Sequence, residues 1–274
     1  MSAARIELLA DADRRGGWLL LADRIRQSYV DMDDPTYLDF EYARALGDIV
    51  DALPAGPLAV THIGGGAMML ARYVAVTRPG SPQIVLEPDA EVTALVRAKL
   101  PLPRGARVRV RPVGGRAGLA ELRDGSADVI ILDAFQGGRV PADLGTVEFF
   151  TDAARVLRAD GLMLANIADG PALGYARRVV AALSTVFAHG LLIADPAVLR
   201  GRRFGNVELA ASAAPLPIAA AQRSAARAIF PRRVVAGADL VELVGDARPA
   251  RDADALRSPA PPEETWRVAL SDSD

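Results

Sequence analysis

The stretch from Leu58 to Asp89, LAVTHIGGGAMMLARYVAVTRPGSPQIVLEPD, indicates the fold class. It begins with the apolar run "LAVTHI" (58–63), passes through three glycines into a helical pattern near 67–77, and ends with "QIVLE" (83–87). A strand, a tight turn, a helix and a second strand in this order form a βαβ unit, which builds parallel sheets. The stretch therefore predicts an α/β protein.

The glycine triplet and the acid after the second strand suggest a nucleoside site. Gly64, Gly65 and Gly66 open the backbone to close approach and permit positive φ in the turn. Glu87 ends the next strand, a position from which a carboxylate accepts both hydroxyls of a ribose. We predict that these four residues bind a cofactor. A plain strand-to-helix turn followed by a solvated acid remains an alternative interpretation.

The spacing of the glycines bears on the kind of nucleoside. A dinucleotide fingerprint G-x-G-x-x-G that began at Gly64 would need glycine at position 69, which is occupied by Met69. The cradle for a pyrophosphate is therefore incomplete. A sulfonium nucleoside has no phosphates and fits better, while a dinucleotide-dependent dehydrogenase remains as an alternative.

Apolar runs and helical stretches continue to alternate beyond this unit. Further strands are predicted at 107–111, 127–133, 161–167, 190–195 and 203–212, and further helices at 89–99, 145–157, 170–187 and 218–230. The strand "RVRVR" alternates arginine with valine and suits a sheet edge, whereas "DVIIL" is apolar throughout and suits the centre. Central first and fourth strands with an outermost third strand are typical of a doubly wound sheet.

The two ends of the chain differ from this pattern. "RIELLAD" (5–11) and "WLLLADRIRQSYV" (18–30) predict two short strands joined by a tight connection, and 37–53 has the three- and four-residue apolar steps of an amphipathic helix. We therefore divide the chain into an N-terminal β-hairpin with its linking helix (1–53), a Rossmann-like cofactor-binding domain (54–214), and a C-terminal helix with a loose tail (215–274).

Asp133 is the candidate catalytic residue. It closes the central strand 127–133, so its carboxylate is predicted at the carboxyl edge of the sheet, beside the glycine turn. An alkylamine with a pKa near 10.4 costs about 4.6 kcal/mol to present as the neutral base at pH 7. A carboxylate that orients the amine and accepts its proton helps it to attack an electrophilic carbon. A capping or loop-bracing aspartate is the alternative.

The composition excludes several classes of function. A net charge of -2 gives no bulk attraction to nucleic acid or anionic lipid, and the absence of cysteine excludes disulfides, thiolate metal sites and cysteine nucleophiles. No apolar run reaches 18 residues, and the first 15 residues lack the apolar centre of a signal peptide. We expect a cytoplasmic protein with no metal, nucleic-acid partner or membrane partner.

The order of these motifs resembles the spermidine synthase family, the polyamine aminopropyltransferases, including its spermidine synthase-like bacterial branch. The likeness spans roughly residues 17–212 and rests on "RQSYVDMDDPTYLDFEYARAL", "IGGG", "IVLEPD", "DVIILDAF" and "VPADLGTVEFFTDAARVLRADGLMLANI". It implies a class I methyltransferase-like Rossmann sheet with an N-terminal β-hairpin extension, and a homodimer. It also implies S-adenosylmethionine or its decarboxylated form as co-substrate and a small-molecule amine as acceptor.

The same resemblance assigns roles to individual residues. Gln27 corresponds to the cofactor-contacting glutamine of the hairpin, Glu87 to the ribose-binding acid and Asp133 to the catalytic carboxylate. Asp39, Glu41 and Gln136 fall at substrate-binding positions, and Gly115 at a cofactor-binding one.

Four positions depart from the polyamine-forming pattern. Ala67 and Gly115 stand where those members carry aspartates near the cofactor, and Phe40 and Gln136 replace polar substrate contacts. Asp39 and Glu41 also suit a solvated helix start, because acids favour a helix N-terminus.

Three functional hypotheses follow from these residues. The first is a spermidine synthase-like transferase that alkylates an amine with a sulfonium nucleoside. The second is a methyltransferase that uses S-adenosylmethionine itself, which Ala67 favours. The third is a catalytically inert binding protein that keeps the fold, which the lost polar contacts favour.

Overall fold

Two β-sheets organise the chain in the computed structural model, which describes residues 5–262 and 265–266. The first sheet is antiparallel and comprises β1 (Ile6–Ala10), β2 (Gly17–Ala22) and β3 (Ile25–Asp31). The predicted N-terminal extension is thus present, but the predicted strand 18–30 is divided in two. Asp23 and Arg24 have φ values of 50° and 64°, and this pair of left-handed residues forms a two-residue hairpin turn that carries no glycine signal.

The second sheet has eight strands in the order β11-β9-β10-β8-β7-β4-β5-β6. The strands are β4 (Val60–Ile63), β5 (Pro82–Leu86), β6 (Arg107–Arg111), β7 (Ala127–Leu132), β8 (Leu157–Asp169), β9 (His189–Ala194), β10 (Gly205–Ser212) and β11 (Arg233–Ala236). Strands β4 to β8 are mutually parallel, and β10 runs antiparallel to β8 and β9. The doubly wound α/β prediction is confirmed, with β4 and β7 central and the arginine-rich β6 at the edge.

Helices cover both faces of this sheet. They are α1 (Glu41–Asp51), α2 (Met69–Thr77), α3 (Ala90–Lys99), α4 (Gly115–Ala120), α5 (Val147–Val156), α6 (Gly174–Val186), α7 (Pro196–Leu199), α8 (Ile218–Arg227) and α9 (Ala238–Val244). The sequence did not predict the short α4, α7 and α9, because four to seven residues carry too little periodicity. No helix of residues 5–262 and 265–266 has the length and apolarity to cross a membrane.

The central strand β7 contributes to both apolar layers. Ile130 packs in the layer that contains Phe149 and Phe150 of α5, whereas Ile131 packs in the layer that contains Leu46 of α1. Successive side chains of a strand point to opposite faces, so a strand buried on both sides needs apolar residues at every position. This explains the uninterrupted run "VIIL".

The segment after α8 is anchored over its described part, in contrast to the loose tail predicted within 215–274. Strand β11 pairs with β9 at the edge of the sheet. Further on, Ala250 is buried, and the buried Ser258 hydroxyl accepts from the Val140 amide at 2.9 Å. The sequence of this segment is proline-rich and charged, and it gives no local signal of these long-range contacts. Residues 263–264 and 267–274 of the predicted tail lie outside the described residues, and the three-part division of the chain stays a prediction.

One buried arginine braces the turn that follows β4. The Arg72 side chain of α2 is 2% exposed, and its Nε donates to the Ala67 carbonyl at 2.9 Å. Its two terminal nitrogens donate to the carbonyls of Pro101, at 2.8 Å, and Leu100. A single guanidinium therefore joins the glycine turn to the end of α3.

We expect Arg72→Met to lower the free energy of unfolding by about 3 kcal/mol, because buried carbonyl groups lose their donors. Arg97→Met on the exposed face of α3 is the matched control and should stay within about 0.5 kcal/mol of the wild type. Urea unfolding measures both. Equal stabilities of the two variants would show that Arg72 does not brace the turn.

Candidate active site

The candidate site lies where three neighbouring parallel strands end. The glycine triplet follows β4, Glu87 follows β5 and Asp133 follows β7. Because β4 lies between β5 and β7, all three groups reach the same edge of the sheet. In open α/β sheets, ligands bind in the crevice at this carboxyl edge.

An open cleft of about 1430 Å³ occupies this edge. All ten residues predicted from the sequence line it: Gln27, Asp39, Glu41, Gly64, Gly65, Gly66, Glu87, Gly115, Asp133 and Gln136. The N-terminal sheet and the start of α1 form one wall, and the strand ends form the other. The structure therefore brings the predicted residues together, while their roles remain predictions.

The glycine triplet is required by conformation and by space. Gly64 and Gly66 have φ values of 94° and 47°, a region that glycine adopts at little cost. A Cβ on Gly64 would lie 2.2 Å from the carbonyl oxygen of Asp133, and one on Gly65 would lie 3.1 Å from the Cβ of Glu87. A side chain at Gly64 would therefore collide with the Asp133 carbonyl, and one at Gly65 would crowd Glu87.

We expect Gly64→Ala to destabilise the protein more than a positive φ alone would. Gly105→Ala is the matched control, because Gly105 has a φ of 80° and open space around its Cβ position. The control should cost about 1–2 kcal/mol, and the collision at Gly64 should add about 1–3 kcal/mol. Thermal or urea unfolding compares the two variants, and equal costs would contradict the proposed close contact.

Glu87 is held by the turn that it faces. Its Oε2 accepts from the Gly65 amide at 2.8 Å and the Gly66 amide at 3.3 Å, and its Oε1 accepts from the Asp89 amide at 2.9 Å. An ionised carboxylate has about four acceptor sites, so it can still accept from hydroxyl groups in the cleft. The backbone thus orients the acid that the sequence predicts for ribose binding.

Asp133 is held by two side chains that were not predicted as site residues. The Tyr42 hydroxyl of α1 donates to its Oδ2 at 3.0 Å, and the Asn166 amide of β8 donates to its Oδ1 at 2.9 Å. Burial raises the pKa of Asp133 above its ordinary value, and the two hydrogen bonds oppose that rise. One signal was present in the sequence, since Asn166 is the only polar residue in "GLMLANI".

We expect Tyr42→Phe to raise the pKa of Asp133 further, because one of the two donors that favour the anion is removed. The aromatic ring is kept, so the packing of α1 changes little. A carboxyl-carbon NMR titration should place the Asp133 midpoint at higher pH. In the control Tyr37→Phe, the lost hydroxyl bonds Asp39 at 3.3 Å, and the Asp133 midpoint should not move. An unchanged midpoint in Tyr42→Phe would rule out this hydrogen bond.

Several of the other predicted residues already have partners in the protein. Asp39 accepts from Arg26 at 2.9 Å, Gln27 donates to the Ile25 carbonyl at 3.3 Å, and Gln136 accepts from Arg257. These contacts fix the orientation of the three side chains.

Gly115 and Glu41 stand at helix starts. Gly115 begins α4, and a Cβ there would lie 2.3 Å from a methyl of Ile63, so this glycine permits close packing on β4. Glu41 begins α1, where an acid also complements the helix dipole.

Two further features of the cleft were not predicted. Glu208 of β10 lines it while only 5% exposed, and burial raises the pKa of Glu208 to about 8. The indole of Trp266 meets the rings of Phe135 and Phe204 edge-on, at 6.0 and 5.3 Å between centroids, and forms an aromatic wall. Throughout residues 5–262 and 265–266, no group of three or more His, Asp or Glu side chains is placed to hold a metal ion.

Known proteins with similar amino-acid sequences include two polyamine aminopropyltransferases. No protein-family model matches the chain. It is 30% identical over 149 residues to the polyamine aminopropyltransferase of Chromobacterium violaceum, and this match covers 54% of this chain and 56% of that protein. It is 28% identical over 141 residues to the polyamine aminopropyltransferase of Neisseria meningitidis, and this match covers 51% of this chain and 53% of that protein. The chain spans about half the length of the curated relatives that it matches.

Solved structures extend the comparison to almost the whole chain. A probable spermidine synthase from Corynebacterium glutamicum superposes with a TM-score of 0.86 and 33% identity, over 91% of this chain and 93% of that one. A spermidine synthase from Thermotoga maritima, at 20% identity over 80% and 73% of the two chains, has a TM-score of 0.58. Human methyltransferase-like protein 13, solved with SAH, has a TM-score of 0.54 at 22% identity over 67% and 90%. The last two similarities concern the fold alone.

Proposed function

Because the chain belongs to the spermidine synthase family, we propose that it is a transferase that moves an alkyl group, aminopropyl by its family, from a sulfonium nucleoside to a small-molecule amine. The observation that carries this proposal is the single cleft in which Glu87, the glycine turn and Asp133 meet. One acid lies where a ribose would rest, and the other lies where an amine must lose a proton.

The residues around the turn suit a nucleoside without phosphates. Gly65 and Gly66 line the cleft, and side chains there would crowd Glu87 and Ser28. Gln27, the glycines, Glu87 and Gly115 would hold S-adenosylmethionine or its decarboxylated form. Either co-substrate, when bound, supplies a carbon activated by the adjacent positively charged sulfur.

Asp133 would orient the acceptor amine and take its proton. Its carboxylate is fixed from two directions by Tyr42 and Asn166, so it presents oxygen lone pairs to the cleft in one orientation. Burial raises the pKa of the Asp133 carboxyl and brings it closer to the pKa of the amine whose proton it has to accept. An amine that binds here is oriented for attack on the carbon next to the sulfonium and loses its proton to Asp133. As the C–N bond forms, the C–S bond breaks, and its electron pair leaves with the sulfur of the nucleoside as a neutral thioether.

A methyltransferase is the second candidate, and one observation favours it. Ala67 follows the glycine turn and is fully buried, so that position offers no acid to the amine of a decarboxylated co-substrate. The preferred nucleoside distinguishes the two activities.

We expect Asp133→Asn to bind the nucleoside as the wild type does but to transfer the alkyl group about a hundredfold to ten-thousandfold more slowly, because general-base help is lost. Calorimetry measures binding of decarboxylated S-adenosylmethionine, S-adenosylmethionine and methylthioadenosine. Transfer to diaminobutane is followed by mass spectrometry. Asp160→Asn, at an exposed position of β8, is the control and should leave both measurements unchanged.

The outcomes separate the candidates. Transfer that prefers the decarboxylated nucleoside supports the proposal, and transfer that prefers S-adenosylmethionine identifies a methyltransferase. Failure of all three nucleosides to bind in the millimolar range would refute both, and binding without any turnover would identify an inert member of the fold.

A further inference from the structure

Asp133, Asn166 and Glu208 form a row across neighbouring strands of the large sheet. Leu132 of β7 is in register with Ala165 of β8, so the next position sets Asp133 beside Asn166. Asn166 is in turn directly opposite Glu208 of β10. Directly opposite residues of an antiparallel pair have Cβ atoms about 4.5–5.5 Å apart. The Glu208 carboxyl is therefore within reach of the Asn166 amide.

The three side chains of the row point to the face of the sheet that α1 covers. Ile131, Leu164 and Ala210 each lie two positions from a member of the row in the same strand, and all three pack in the apolar layer that contains Leu46 of α1. Residues two apart in a strand share a face. The row therefore lies on one side of the sheet, where all its members line the cleft.

The Asn166 amide is buried, and one of its two polar atoms lacks a partner. Its Nδ2 donates to the Asp133 Oδ1 at 2.9 Å. Its Oδ1 has no hydrogen-bond partner among the residues that the structure describes, although Asn166 is only 1% exposed. Buried polar atoms nearly always have partners. A donor to this oxygen is therefore expected from an adjacent group.

Glu208 supplies that donor when its carboxyl carries a proton. The carboxyl already accepts from the backbone amide of Glu208 itself. A protonated carboxyl also has one O–H donor, which is free for a second partner. Burial raises the pKa of Glu208 to about 8, so the protonated form predominates at pH 7. The neutral acid then accepts from its own backbone and donates to the Asn166 Oδ1.

The groups that face Glu208 from α1, β7 and β9 favour the neutral form. Glu41 of α1 and Asp133 of β7 are negative neighbours, and both raise the pKa of Glu208. The Tyr42 hydroxyl of α1 already donates to Asp133. The residue of β9 directly opposite Glu208 is the apolar Ile193. None of these side chains offers Glu208 a positive charge.

The positive neighbour of Glu208 has other partners. Arg232 lowers the pKa of Glu208 and so limits the rise that burial causes. Its Nη2 donates to the Asp48 carboxylate of α1 at 3.0 Å and to the Ser224 hydroxyl at 3.4 Å. The guanidinium is thereby held on the α1 side of the cleft and leaves the Glu208 carboxyl to Asn166.

On the basis of the function proposed above, we propose that Glu208 is a positioning residue that, as a neutral acid, donates to the Asn166 Oδ1 and keeps the Asn166 Nδ2 directed to Asp133. An asparagine amide can turn over and exchange its oxygen for its nitrogen. Turned over, Asn166 would present an oxygen to the Asp133 carboxylate, which would lose a donor. The Glu208 proton is bound in only one of the two orientations, so it selects the one that holds Asp133.

Ionisation of Glu208 reverses this preference. As the pH rises through about 8, the proton leaves to solvent, and the carboxylate can only accept. It then competes with Asp133 for the single Asn166 Nδ2. Asp133 loses one of its two fixed donors when the amide turns to Glu208. Turnover should therefore decline on the alkaline side of about pH 8.

We expect the Asp133 midpoint to distinguish two variants of Glu208. Glu208→Gln keeps a donor in its amide, so the pKa of Asp133 should match that of the wild type. Glu208→Met removes the donor at similar volume, so the pKa of Asp133 should rise by about half a unit to one unit as the Asn166 donor is released. Carboxyl-carbon NMR titration of the free protein measures both, and circular dichroism verifies the fold of each variant.

The pH dependence of turnover gives a second measurement. In the wild type, kcat should fall as the pH rises through about 8, and the Glu208 carboxyl itself should titrate over the same range. In Glu208→Gln the decline should be absent, because an amide does not ionise. Glu242→Gln, at an exposed position of α9, is the control and should retain the wild-type profile.

Three results would overturn the inference. They are equal Asp133 midpoints in Glu208→Gln and Glu208→Met, a Glu208 carboxyl that is already ionised at neutral pH, and an alkaline decline that persists in Glu208→Gln. The NMR titrations need no ligand, so they decide the inference whether or not a nucleoside binds. Failure of the nucleosides to bind would refute the proposed function alone.

Discussion

The contact between the Gly64 backbone and the carbonyl of Asp133 leaves no room for a side chain, and the geometry of the cleft depends on it. It lets the turn after β4 pack against the backbone of Asp133 at the end of the neighbouring strand β7. The same turn presents the amides of Gly65 and Gly66 to Glu87. One stretch of bare backbone therefore sets the distance between the two acids that the proposed chemistry requires.

The carboxyl groups of the cleft differ in how far the protein itself satisfies them. Glu87 receives three backbone amides, Asp133 receives two side-chain donors, and Glu208 receives its own backbone amide but no side-chain donor from the part of the chain that the structure describes. This gradient matches the proposed division of labour. In the proposed function, the acid held by backbone amides would orient a neutral sugar, and the acid held by two side chains would accept a proton.

Much of the architecture could be predicted from local patterns. The "VIIL" run of β7, the alternation in β6 and the glycine triplet each reflect a nearby physical requirement, namely burial on both faces, exposure on one face, or positive φ. The turn at Asp23 and Arg24 was missed because residues other than glycine adopt the left-handed conformation there. Strand β11 was missed because its pairing with β9 depends on contacts distant in sequence.

Some residues of the candidate site could likewise be predicted from the sequence, and others could not. Residues at strand ends, such as Glu87 and Asp133, are recognisable because position along a strand is encoded locally. Glu208 lies within a strand, and only the order of β7, β8 and β10 shows that its face opens into the cleft. Tyr42 follows the apolar spacing of its helix, so nothing in the sequence separates it from core residues.

The aromatic wall has a consequence for the timing of folding. The amide of Arg26 donates to the carbonyl of Trp266 at 3.0 Å, so one side of the cleft joins the N-terminal sheet to a residue 240 positions later. Contacts of such long sequence separation form late, because a large loop must close before they can stabilise anything. A chain emerging from the ribosome can thus assemble its parallel strands and glycine turn while the cleft still lacks a wall. Binding competence would then arise late in folding.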